Sequence, residues 1–176
     1  LEDVEGLDNP GVKASQIAHA TQDHLQPRTG QNPRYKRLSE RVTDIVERWQ
    51  GGEMADPEVV DALKSVEEAV LGVEDEANER GMNDAEFAIY THLTEECEDA
   101  IDADSEAEQI ARDIIEAFEE QVERDYRGWE TNQQTTKQIT RLLLEIVANE
   151  HSHGQVFKDD DGFMDAMRGY LIEDYA

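Results

Sequence analysis

Sixteen basic side chains, five histidines, one cysteine and 43 carboxylates are the material from which this 176-residue chain could build a reactive centre. A metal-dependent nuclease site commonly sets an acid two residues before a lysine, so that carboxylate and ammonium converge on a metal ion and a phosphate. The lysines are Lys13, Lys36, Lys64, Lys137 and Lys158, and the residues two before them are Gly11, Arg34, Ala62, Thr135 and Val156. None of these is an acid. A nucleotide-binding P-loop needs glycine, then lysine, then Ser or Thr, and no lysine here follows a glycine. Asp159-Asp160-Asp161-Gly162 hints at a calcium loop. Setting Gly162 at the loop's invariant glycine puts Phe157 first and Arg168 last, where Asp and Glu are required. The run reads instead as a helix start with N-terminal acids. Glu150-His151-Ser152-His153 holds one Glu-x-x-His, whereas a di-iron bundle needs two such pairs and two further glutamates. His151 and His153 fit a helix C-terminus, whose partial negative charge favours imidazolium. Cys97, being alone, excludes a disulfide within the chain and fits a small core residue. The expectation is a segment with no catalytic, cofactor-binding or metal-ligating residues.

The one constellation that could bind something is basic. Arg34, Arg37, Arg41 and Arg48 are spaced at i, i+3, i+7 and i+14, on one face of a helix, with Arg28 and Lys36 nearby in sequence. Two readings stay open: internal pairing with acidic helices, or a contact stripe for an acidic partner or a DNA backbone.

The elements that would position these residues are helices. Residues 1–31, interrupted by Gly6, Pro10, Gly11, Pro27 and Gly30, read as a tether or a weak first helix. Asn32-Pro33 is an N-cap followed by proline at the first helical position. Tyr35, Leu38, Val42, Ile45, Val46 and Trp49 then form an apolar stripe ending at Gly51-Gly52. Asp56-Pro57 repeats the start signal ahead of Val59, Val60, Leu63, Val66, Val70 and Val73, up to Gly81. Asn83 with Glu86, and Ser105 with Glu108, make capping boxes for two further helices. The first carries Phe87, Tyr90, Leu93 and Cys97; the second carries Ile110, Ile114, Ile115, Phe118 and Val122. A fifth segment runs over about 131–150 with Ile139, Leu142, Leu143, Ile146 and Val147. A last one carries Phe163, Met164, Met167, Tyr170 and Leu171. No stretch alternates with period two. The fold class expected is all-α, a bundle of about six helices without a sheet, with residues 32–176 as one helical domain.

Charge bounds the setting. The formal net charge is -27, and residues 51–123 alone hold 25 acids against 3 bases. Such a density repels itself in dilute buffer, and molar salt screens it by cutting the Debye length to about 3 Å. Eleven of the 16 bases are Arg and 5 are Lys. This lysine-poor acidic composition fits a halophile's cytoplasm; an acidic mesophilic protein is the alternative. No apolar run approaches the roughly 20 residues of a membrane span, and the N-terminal acids do not fit a signal peptide, so the expected location is cytoplasmic, without membrane contact. The chain begins at Leu1, which suggests a segment of a longer protein.

Asn32-Pro33-Arg34-Tyr35-Lys36-Arg37-Leu38-Ser39-Glu40-Arg41-Val42, running on to Trp49, resembles the start of the C-terminal domain of type I restriction enzyme R subunits. Asp84-Ala85-Glu86-Phe87-Ala88-Ile89-Tyr90 is similar to the family's acidic segment ending in Phe-x-x-Tyr. Ile110-Ala111-Arg112 through Trp129, then Lys137-Gln138-Ile139-Thr140-Arg141-Leu142-Leu143, resembles its Trp followed by a basic and aliphatic helix. The matches cover most of residues 30–150 in order. The departure is charge, because that last helix is usually richer in bases than Lys137 and Arg141 make it. The resemblance implies a non-catalytic assembly domain that docks an ATP-dependent motor and nuclease subunit on the methyltransferase and specificity subunits. It implies ATP and Mg in the parent enzyme's other domains, DNA met through the complex, and Arg34, Arg37, Arg41, Arg48, Lys137 and Arg141 as candidate docking residues. A stand-alone acidic helical adaptor or a metal-binding helical bundle is the alternative.

Overall fold

Most of the helices begin where a short polar side chain or a proline removes the cost of the first unpaired N–H groups. In the computed structural model, which describes residues 9–97, 101, 103–125, 132–154 and 162–175, the chain forms two compact units, Leu1–Gly81 and Met82–Ala176. Val122, Trp129, Lys158 and Asp159-Asp160-Asp161 lie outside the residues whose side chains are described.

The first unit contains α1 (Pro10–Leu25), α2 (Pro33–Gln50) and α3 (Asp56–Arg80), each packed against the other two. The Asn9 side chain accepts from the Gly11 N–H at 3.0 Å with Pro10 at the first position, and Asn32 accepts from Arg34 N–H at 2.9 Å ahead of Pro33. Proline costs nothing there, since its missing N–H would be unpaired anyway. α3 starts differently from the sequence expectation. Its N-cap is Ala55, whose N–H donates to the Glu58 carboxylate at 2.9 Å. Asp56 is inside the helix, and its carboxylate accepts from the Trp49 indole N–H at 2.9 Å, stapling the end of α2 to the start of α3. α3 ends at Gly81, whose φ of 62° is left-handed and favours glycine.

The core of this unit is aliphatic. Ile17 and Leu25 of α1 and Val42 and Ile45 of α2 meet Val59, Leu63, Val66 and Val70 of α3. Valine loses rotamer freedom in a helix; burial of roughly 1.5–3 kcal/mol per side chain offsets it. Trp49 is only half-buried, because its ring sits at the bundle's end and its N–H is held by Asp56.

The second unit contains α4 (Asp84–Glu95), α5 (Asp104–Asp125), α6 (Gln133–Leu143) continuing as a π-helical turn over Leu144–Glu150, and α7 (Phe163–Tyr175). α4 packs on α5 and α7, and α5 also packs on α6 and the π turn. Every residue from Phe87 to Leu93 is buried. A helix apolar all round belongs in an interior, and α4 is the centre of this unit. Its polar members are satisfied: His92 Nδ1 lies 3.2 Å from the Tyr170 hydroxyl, and its ring meets Phe163 edge-on at 5.6 Å. The Asn83–Glu86 capping box is formed, with bonds of 2.7 and 2.9 Å. Ser105 is not a cap; α5 already starts at Asp104, whose carboxylate accepts from the Tyr90 hydroxyl. Among the described residues there are seven α-helices and no strand, and no helix is long and apolar enough to cross a membrane.

Candidate functional site

The arginines of α2 share a helix face as their spacing demands, but they do not share an environment. Arg34 is half-buried and forms an ion pair with Glu76 of α3. Arg80 Nε reaches the same carboxylate at 3.2 Å. Partial burial pushes the Glu76 carboxyl up, yet the Arg34 hydrogen bond and charge, joined by those of Arg80, outweigh it and hold the group below its ordinary value. Arg28 lies 3.3 Å from Glu74 with its guanidinium 6.0 Å from the Tyr35 ring centre. Arg41 and Arg37 are exposed, and Arg41 reaches the Ser65 hydroxyl at 3.5 Å. Arg48, half exposed, lies 3.8 Å from Asp44 and 3.6 Å from Glu53. Thus Arg34 is half-buried in its ion pair with α3, whereas Arg37, Arg41 and Arg48 are exposed.

The other two candidates differ. Lys137 and Arg141 are one turn apart on α6 and both are exposed. α6 contains no acid, and Asn132 caps it by accepting from the Gln134 N–H at 2.9 Å. Ile139, Leu142 and Leu143 bury the opposite face. Among the described residues neither Lys137 nor Arg141 forms an ion pair. Leu144, 41% exposed, extends the same face by one more turn.

The histidines at the end of the π turn are partnered by α5. His151 Nε2 lies 2.8 Å from Asp113 and His153 Nε2 lies 2.9 Å from Glu106. Glu106 and Asp113 are seven residues apart, which places them on one helix face. Their spacing was visible in the sequence, but nothing there indicated that two histidines would meet them. Among the described residues no three of His, Cys, Asp and Glu are grouped as metal ligands would be. Tyr175, raised by partial burial and then by its 2.6 Å hydrogen bond to Glu119, stays protonated and closes α7 against α5.

Comparison with known proteins adds what geometry does not. The family model described as "Type I restriction enzyme HindI endonuclease subunit-like, C-terminal" matches residues 1–151. A protein of Methanocaldococcus jannaschii, named as the MjaIXP endonuclease subunit of a type I restriction enzyme, is 22% identical over 129 residues. That stretch covers 73% of this chain and 12% of the relative, so this chain spans a small fraction of the relative's length. No solved structure matches. The matched region includes both candidate surfaces, on α2 and on α6.

Proposed function

Because the chain belongs to the family of C-terminal regions of HindI-like type I restriction enzyme endonuclease subunits, we propose that it is an assembly domain, not a catalytic one. Its role is to dock the motor and nuclease subunit on the methyltransferase and specificity core. The observation that carries this reading is the face of α6, where Lys137 and Arg141 stand exposed without an ion pair among the described residues. In a chain of net charge -27, an acid-free helix with two such cations is where an acidic partner surface gains most and is repelled least. Arg37 and Arg41 on α2, both exposed, form the secondary surface. ATP and Mg belong to the parent subunit's other domains, and DNA reaches this domain through the complex. The lysine contexts of the sequence support the absence of nuclease and P-loop sites here. The acidic, lysine-poor composition supports a cytoplasm of high salt.

The test is a pull-down of the endonuclease subunit by its methyltransferase core at the lowest KCl that keeps the subunit folded, so that charge contacts are not screened out. Lys137→Glu with Arg141→Glu should reduce capture several-fold while circular dichroism stays unchanged. Arg37→Glu with Arg41→Glu should reduce it less. Unchanged capture with both double variants rejects docking through either face. ATPase or nuclease activity that stays with the isolated domain through several columns rejects the non-catalytic reading.

A further inference from the structure

Between α1 and α3 lies a cavity of about 300 Å³, open at the surface and lined by Ala20, Thr21 and His24 of one helix and Glu67, Val70 and Leu71 of the other. Two features of it are out of keeping with an ordinary surface dimple. Leu71 forms one wall and is 58% exposed, although α3 has a complete buried stripe without it. Glu67 is half-buried and lacks a strong donor among the described residues. The Thr21 hydroxyl is 3.4 Å away, but its single proton is given to the Ile17 carbonyl at 2.8 Å. Lys64, one turn earlier, forms no ion pair with it among the described residues.

The surroundings of Leu71 specify what would fit. One turn to either side on α3 lie Glu67, Glu68, Glu74 and Asp75. Only Glu74 among these four has an ion pair among the described residues, with Arg28 at 3.3 Å. An apolar knob framed by three uncompensated carboxylates, set in the groove between two packed helices, is complementary to an amphipathic helix of opposite charge. A second copy of this chain is disfavoured by its own net charge of -27.

We propose that the α1–α3 groove centred on Leu71 is a docking site for a basic amphipathic helix of a partner protein. An apolar side chain of that helix enters the cavity against Val70 and Leu71. Its lysines or arginines, one turn to either side, meet Glu67, Glu68 and Asp75. The site is independent of the α6 reading, so either can fail alone.

The experiment uses the full chain and two labelled synthetic helices of identical charge. One is a leucine–lysine amphipathic peptide; the other has its leucines replaced by serine. Fluorescence anisotropy is read from dilute to molar KCl, which strips away purely electrostatic binding. The leucine peptide should bind about tenfold more tightly or better, the worth of one buried leucine. Leu71→Ser, and Ala20→Trp to fill the cavity from the exposed side of α1, should each bring the two peptides to within about threefold. Glu67→Gln should weaken the leucine peptide while retaining the preference. Equal binding of both peptides to the unmodified chain overturns the proposal without relying on any variant. So does a preference that survives both cavity variants, or sedimentation showing a dimer that Leu71→Ser dissolves.

Discussion

Glu76→Gln keeps the side chain's size and removes the charge that Arg34 and Arg80 both engage. Fully desolvated, two charge-assisted bonds would be worth about 3–6 kcal/mol. Here the Arg34, Glu76 and Arg80 side chains are 25%, 30% and 25% exposed, and solvent screening reduces the expected loss to about 1–2 kcal/mol. The same substitution also removes one acid from a strongly acidic chain, which by itself relieves repulsion. Asp75→Asn, on the exposed side of the same helix, isolates that second effect and should be neutral or mildly stabilising. Urea unfolding of both variants, followed by circular dichroism at fixed KCl, gives the difference. Its pH dependence has a definite sign. The folded-state carboxyl titrates below its ordinary 4.5, so its contribution is complete above that value and is lost as pH falls through the folded-state pKa. If Glu76→Gln matches Asp75→Asn at neutral pH within about 0.3 kcal/mol, or if its deficit persists at the acid end, the arginines do not hold the bundle through this carboxylate.

Other outcomes follow from the same structure. Thermal melts should rise in midpoint from dilute buffer to molar KCl, because 25 acids against 3 bases over residues 51–123 repel until screened; a flat or falling midpoint rejects the high-salt reading. Trp49→Phe should cost about 1.5 kcal/mol in chemical unfolding by removing the donor to Asp56, and a neutral result would mean water replaces it. Asn83→Ala should cost about 1 kcal/mol by undoing the capping box of α4, read as a lower midpoint with an unchanged slope.

What the sequence made legible was local. Asn32-Pro33 and the Asn83–Glu86 pair lie within four residues of the N–H groups they satisfy, so their chemistry can be read off the string. The apolar stripes follow from periodicity, and their cores are buried as α2, α3 and α5 require. Long-range choices were not legible. Arg34 and Glu76 are 42 residues apart, and His151 and Asp113 are 38 apart. No period connects such residues, and an acidic chain offers many alternative partners for each base. Asp56 is the instructive error. Its position before proline reads as a cap, but an indole N–H seven residues earlier competes for the same oxygen and holds it. Pro10 and Gly11 likewise read as interruptions, yet behind Asn9 they are the first turn of α1. The candidate docking residues were visible as bases; which of them are already engaged depended on the folded neighbours.

The π-helical turn over Leu144–Glu150 has a consequence for how this segment can vary in length. A bond pattern of i to i+5 accommodates one residue more than an α-helix would over the same rise. The His151 N–H reaching the Ile146 carbonyl at 3.0 Å is that wider loop closing. Each residue of an α-helix advances the next side chain by about 100°, and the wider turn absorbs the rotation that one extra residue would otherwise impose on everything after it. Deleting a single residue from 144–150 would let the turn tighten into regular α geometry over the same rise, so His151 and His153 would keep facing the side of α5 that carries Asp113 and Glu106. The helix and its grip on α5 would both survive such a deletion, which makes this turn the place where the segment tolerates a change of one residue in length.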